Sequence, residues 1–104
     1  MTFQDYLATM PNVEHLSGLN VLNAEGEVIH HIPAIAGKLG SLRLYNALAE
    51  QFAQQLNPSA AQQGLIWFAE HVADAEQNPG KHPNIDLLFR VIETQQSLQL
   101  QPLR

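Results

Sequence analysis

The chain contains no cysteine, which excludes disulfides and any cysteine-built metal or redox cluster and fits a reducing compartment. Charge is scarce as well: Asp, Glu, Lys and Arg make up 14% of the residues, against roughly 25% in ordinary soluble domains. Positive charge is the scarcer sign. Five Lys and Arg stand against ten Asp and Glu, a formal net charge of −5, and such a surface repels the phosphate backbones that nucleic-acid binders attract with a basic face. Nucleic acid is therefore not an expected partner. No apolar run approaches the ~20 residues needed to span a bilayer, so no membrane partner is expected either. The opening MTFQDYLATM carries Asp5 and no basic residue ahead of an apolar stretch, which is neither a secretory nor a mitochondrial signal. A cytoplasmic location is expected. Internal repeats, a catalytic triad and a cofactor fingerprint are also missing, so no cofactor is expected and whether the chain is an enzyme stays open.

What is present describes an architecture. A chain of 104 residues, 45% of them apolar, has the size of one domain with one core, so residues 1–104 are read as a single α+β domain. Thr2 can cap a short helix in which Asp5 lies in the first turn and Phe3, Tyr6, Leu7 and Met10 recur at helical spacing. LNVLNAEGEVIHHIP then reads as a β-hairpin, with Asn23 opening a type I turn and Gly26 completing a G1 bulge. Pairing Asn23 with Glu27 puts Leu22 opposite Val28, Val21 opposite Ile29, Asn20 opposite His30 and Leu19 opposite His31. One face then carries Leu19, Val21, Ile29 and His31, and the other Leu22, Val28, His30 and Ile32 with Asn20. Both faces are largely apolar, as in a sheet that is covered twice or that lends one face to another chain.

Three longer helices are expected next. The second, SLRLYNALAEQFAQQL, is capped near Ser41 and has a core stripe of Leu42, Tyr45, Leu48, Ala49, Phe52 and Leu56. The third starts with Ser59 and Gln62 as a capping box and runs its core face through Ala61, Leu65, Phe68, Ala69, Val72 and Ala75. Gly64 in that helix permits close packing of another element. The fourth starts near Pro83 or Asn84 and has the widest apolar arc, which marks it as central, with Asp86 and Arg90 one turn apart as an ion pair. SLQLQPL alternates as a closing strand that can add to the hairpin. The order is α-β-β-α-α-α-β, an antiparallel hairpin, or a three-stranded sheet, packed with a helical bundle.

Chemistry-bearing residues are few. His30 and His31 are adjacent, but successive strand residues face opposite ways, so they do not chelate one ion together, and no metal site is assigned. Trp67 falls on the polar side of its helix, beside Gln63, Glu70, His71 and Asp74, where it is covered by another element or serves as an aromatic anchor for a ligand or partner. Two Gly-Lys loops, Gly37-Lys38 and Gly80-Lys81-His82, precede helices. Helix N-termini offer unpaired N–H groups, glycine lets backbone approach closely, and lysine adds a mobile cation, so either loop can receive a carboxylate or phosphate. In the second loop Gly80 also fits a left-handed turn and Pro83 a first helical turn, which explains much of it without a ligand.

NPGKHPNIDLLFRVI, GSLRLYNALAEQF and GEVIHHIPA together resemble a family of short bacterial proteins known only as a domain of unknown function. The resemblance implies a bacterial, cytoplasmic protein and brings no activity, cofactor or catalytic residue. Two functions follow from the residues. One is a noncatalytic binding or protein-interaction module, self-associating as a homodimer through an apolar sheet face, a strand edge or the Trp67 surface. The other is a protein or enzyme that holds a small anionic metabolite at Gly80, Lys81 and His82, with His71 and Trp67 as further ligand-binding residues and Glu70 and Asp74 nearby.

Overall fold

A computed structural model describes residues 1–104. Its elements run α1 (Phe3–Leu7), β1 (Gly18–Leu22), β2 (Val28–Pro33), α2 (Leu39–Gln51), β3 (Gln55–Leu56), α3 (Pro58–Phe68), α4 (His71–Gln77), α5 (Pro83–Thr94) and β4 (Leu98–Leu103). This is an α+β fold with a four-stranded antiparallel sheet in the order β2-β1-β4-β3. The closing strand does join the sheet, but it pairs with β1 and β3 and not with β2.

The hairpin turn forms as its residues dictate. Gly26 takes φ +80°, the Asn23 N–H donates to the Glu27 carbonyl, and Asn23 Oδ1 accepts from the N–H groups of Glu25 and Glu27. Leu22 lies opposite Val28 as expected, but the next pair is Val21 with His30. Ile29 is an extra, unpaired residue, a β-bulge that shifts the register by one from there on. Asn20 therefore faces His31 and Leu19 faces Ile32, and the two histidines exchange faces relative to regular alternation. Leu19, Val21, Ile32, Leu98 and Leu100 are buried on the helix-facing side, where His30 joins them. The other side carries Asn20, His31, Gln99 and Gln101, all partly or fully exposed. The sheet thus has one wet face, and the two apolar faces expected from unbroken alternation are not present.

Among the helices, α2 and not the wide-arc α5 is the one covered on most sides. Residues 44–49 of α2 and Leu42 are all buried, and α2 packs against α1, α3 and all four strands. Its apolar stripe alone understated this, because Leu44, Asn46 and Ala47 are buried too. The α5 helix buries one face through Ile85, Leu87, Leu88 and Val91. Its Asp86 does not pair with Arg90; Asp86 Oδ2 accepts the Gly80 N–H at 2.9 Å, a neighbour that the loop's turn brings back to the helix.

Helix ends also differ. α2 starts two residues before Ser41 and stops at Gln51, because Ala53 and Gln54 turn left-handed, at φ +53° and +64°, and swing Gln55–Leu56 alongside β4. α3 starts at Pro58, capped by Asn57 Oδ1 on the Ala60 N–H; Ser59 lies inside the first turn and is not the cap. Pro at the first position suits that start. The third helix does not run on to Ala75 but breaks at Ala69, whose φ of +51° and ψ of −117° separate α3 from α4. Gly64 behaves as expected: a Cβ there would meet Leu88 Cδ1 at 2.8 Å and Leu48 Cδ1 at 3.2 Å, so its bare backbone is where α3, α5 and α2 approach one another.

Candidate functional site

Helices α2 and α5 begin alike. Each follows a left-handed glycine, Gly37 at φ +87° and Gly80 at φ +92°, then a lysine, and neither has a side-chain N-cap. By contrast α1 is capped by Thr2 and α3 by Asn57. An uncapped first turn keeps unpaired N–H groups and a partial positive charge. The N–H groups of Ser41 and Asn84 find no acceptor in the protein. Both residues line one cavity of about 150 Å³, together with Gly37, Lys38, Phe3, Phe68, His71, Lys81, His82, Pro83 and Ile85. The two Gly-Lys loops, distant in sequence, thus open onto the same space.

One wall of the cavity is aromatic. Phe3 stacks on Phe68 with ring centroids 5.4 Å apart, and His71 meets Phe3 edge-on at 5.0 Å. The α3–α4 break makes this possible by turning His71 off the line of α3. Glu70, at the break, accepts the Phe3 N–H on Oε1 at 2.8 Å, and that bond holds its carboxyl below the usual range. Opposite lie Lys81 and His82, both held by Asp74 of α4: Lys81 Nζ at 3.0 Å and His82 Nε2 at 2.6 Å from the same Oδ2. His82 bonding, then Lys81 bonding, lowers the Asp74 pKa to about 2. The His71 and His82 rings are 6.0 Å apart.

Asn84 closes the inner end and is fixed from two sides. Its carbonyl accepts from the buried Tyr45 hydroxyl of α2 at 2.5 Å, and its Oδ1 lies 2.6 Å from His30 Nε2 of β2. Because an amide oxygen only accepts, His30 must carry its proton on Nε2. Burial pushes the Tyr45 hydroxyl well above the usual phenol range, so it stays a donor. Asn84 is 9% exposed, and its Nδ2 donates to nothing in the protein. No fully buried polar side-chain atom is left unpaired, so that amide keeps some accessible surface, and Asn84 is among the residues that line the cavity.

Of the residues the sequence singled out, Lys81, His82 and His71 come together here. Gly80 supplies the turn just outside the lining. His71 and Asp74, one helical turn apart, do not pair; Asp74 serves Lys81 and His82. Trp67 lies elsewhere, half-buried in a depression formed with Thr9, Met10, Pro11, Ala47, Glu50 and Gln51, so α2 and the segment that follows α1 cover it. Lys38, Ser41, Asn84, Phe3 and His30 were not assigned to the site from sequence. The signal for Lys38 was there, in the repeated Gly-Lys loop, but its meeting with Lys81 depends on tertiary packing.

Compared with known proteins, the chain matches over residues 3–102 a family described as uncharacterized protein conserved in bacteria (DUF2322). No curated protein and no solved structure matches it.

Proposed function

Because the chain belongs to this uncharacterized bacterial family, whose description assigns no activity, we propose from its own residues that it is a binding protein for a small anion. The anion sits in the cavity between the first turns of α2 and α5. One observation carries the reading: two uncapped helix N-termini, each with its own glycine and lysine, face one cavity that also holds an unpaired amide donor. Anions are stabilised at such termini by the unpaired N–H groups and the local dipole. The cavity volume, about 150 Å³, is below the roughly 300–1,000 Å³ of pockets that enclose drug-sized ligands, which limits the buried part to an oxyanion head group. Asp74 and Glu70 offset part of the lysine charge, so the binding rests on directed donors more than on net charge.

Thermal unfolding in rising inorganic phosphate at fixed ionic strength tests this. A ligand at a hundred times its Kd stabilises by about 2.7 kcal/mol, so the wild-type melting temperature should climb with phosphate and more than with chloride. Lys81→Ala and Lys38→Ala should each flatten the rise. An equal rise in all three proteins would sink the proposal.

A second reading is self-association through β2. This strand has a neighbour on one side only, and Val28 and Ile29 on it are 54% and 45% exposed. Open strand edges pair with other strands. Sedimentation over a wide concentration range tests it: dimers that are lost in Ile29→Lys support it, and a strict monomer at high concentration removes it.

A further inference from the structure

Resting on the anion-binding reading, we propose that His82 is a phosphoryl acceptor, reacting through Nδ1 with the phosphorus of a phosphate-containing donor held in the cavity. The donor class is a high-energy phosphoryl compound, an acyl phosphate or a phosphoramidate. Three observations converge on His82. Asp74 Oδ2 takes Nε2 at 2.6 Å, and since a carboxylate only accepts, Nε2 carries a proton and the neutral ring has its lone pair on Nδ1. Nδ1 has no partner in the protein, while the ring lines the cavity and keeps 25% of its side-chain surface accessible. The donors around it are arranged for phosphoryl oxygens: Lys38, Lys81, the Ser41 and Asn84 N–H groups, and the unpaired Asn84 amide on a residue that is 9% exposed.

The other histidines lack this combination. His30 spends its Nε2 proton on Asn84, His31 bonds Asn20 through Nδ1 on the wet face of the sheet, and His15 is exposed and outside the cavity. His71 lines the cavity but has only Glu70 Oε2, at 4.0 Å, for an acidic neighbour.

With phosphoramidate the step balances. The Nδ1 lone pair attacks phosphorus, the N–P bond forms as the P–N bond to the ammonium group breaks, and ammonia leaves with the electron pair of that bond. Nε2 keeps its proton, so the phosphorylated ring is a cation, and the Asp74 carboxylate neutralises it where it stands. Asp74 is a positioning residue that fixes the tautomer and supports the product.

The test incubates the full chain with phosphoramidate and follows the adduct by intact mass and by phosphorus NMR, which tells Nδ1 from Nε2. The expected result is one acid-labile, alkali-stable phosphoryl group on His82 Nδ1, formed faster than labelling of His15 and His31. His82→Asn should abolish it. His15→Asn, outside the cavity, should keep it, and Asp74→Asn should slow it on the order of tenfold or more, as when a reactive histidine loses its orienting carboxylate. Circular dichroism of each variant checks that it folds. An adduct on Ser41 or His71, or one spread evenly over the exposed histidines, overturns the proposal. Stabilisation by inorganic phosphate without any adduct overturns this proposal and leaves anion binding standing; failure of both removes both.

Discussion

Ala69 carries a side chain at φ +51° and ψ −117°, a conformation open mainly to glycine that costs an ordinary residue of order 1–3 kcal/mol. Ala69→Gly should relieve it. After the greater chain entropy of glycine is set against the gain, the net stabilisation should be about 0.5–1 kcal/mol, read as a higher urea midpoint at unchanged slope. Tyr45 is the opposite case, a fully buried hydroxyl with one acceptor, the Asn84 carbonyl. Tyr45→Phe leaves that acceptor without its partner, which should cost about 1–3 kcal/mol, and should also weaken phosphate binding by loosening the first turn of α5. Asp74 makes the acid limb. Its carboxyl titrates at about 2 in the folded protein against an ordinary 3.8, so between those values the unfolded chain binds the proton more readily. The stabilisation is whole above the ordinary value and fades as pH falls toward 2. Asp74→Asn should therefore show a shallower loss of stability than wild type on acidification through that window, followed by thermal melts at each pH.

Among the elements, those set by local backbone chemistry form where the sequence places them. Thr2 forms its capping box with Asp5, the Asn23–Gly26 turn forms, Gly80 turns left-handed, and the alternation of SLQLQPL puts Leu98 and Leu100 in the core. These depend on backbone chemistry within a few residues. The misjudged features depend on partners far along the chain. Nothing near Asn46 announces that α2 will be covered nearly all round, and the α3–α4 break gains its support from α1, through Phe3 on Phe68 and on Glu70. Gly18 shows the same dependence across the sheet. A Cβ there would lie 2.8 Å from the Ile32 carbonyl oxygen and 2.9 Å from His31 Cε1, so the strand must carry glycine to sit against β2. Gly18→Ala should cost about 1–3 kcal/mol, measured by urea unfolding, although alanine is otherwise the less costly residue in a strand.

For the molecule as a whole, the candidate site is a product of assembly. Lys81, His82 and His71 were legible as residues of interest, but the cavity exists because α2 and α5 bring their first turns together under β2, with Asn84 tied to both neighbours. The Cα radius of gyration is 12.5 Å, close to the ~13 Å of a compact chain of this length. Dilute solution scattering should return a value slightly above it, since a hydration layer is added, and growth with concentration would mark pairing of β2 edges. The bulge at Ile29 has a meaning beyond its own strand. Side chains along β2 follow an odd–even rule, and one inserted residue reverses which class points inward. Deleting Ile29 would remove the bulge and leave a regular ladder with His30 still opposite Val21 and His31 opposite Asn20, whereas pairing Ile29 itself with Val21 would send His31 inward and His30 out to solvent. For this hairpin, the residue that pairs with Val21 decides which histidine points inward.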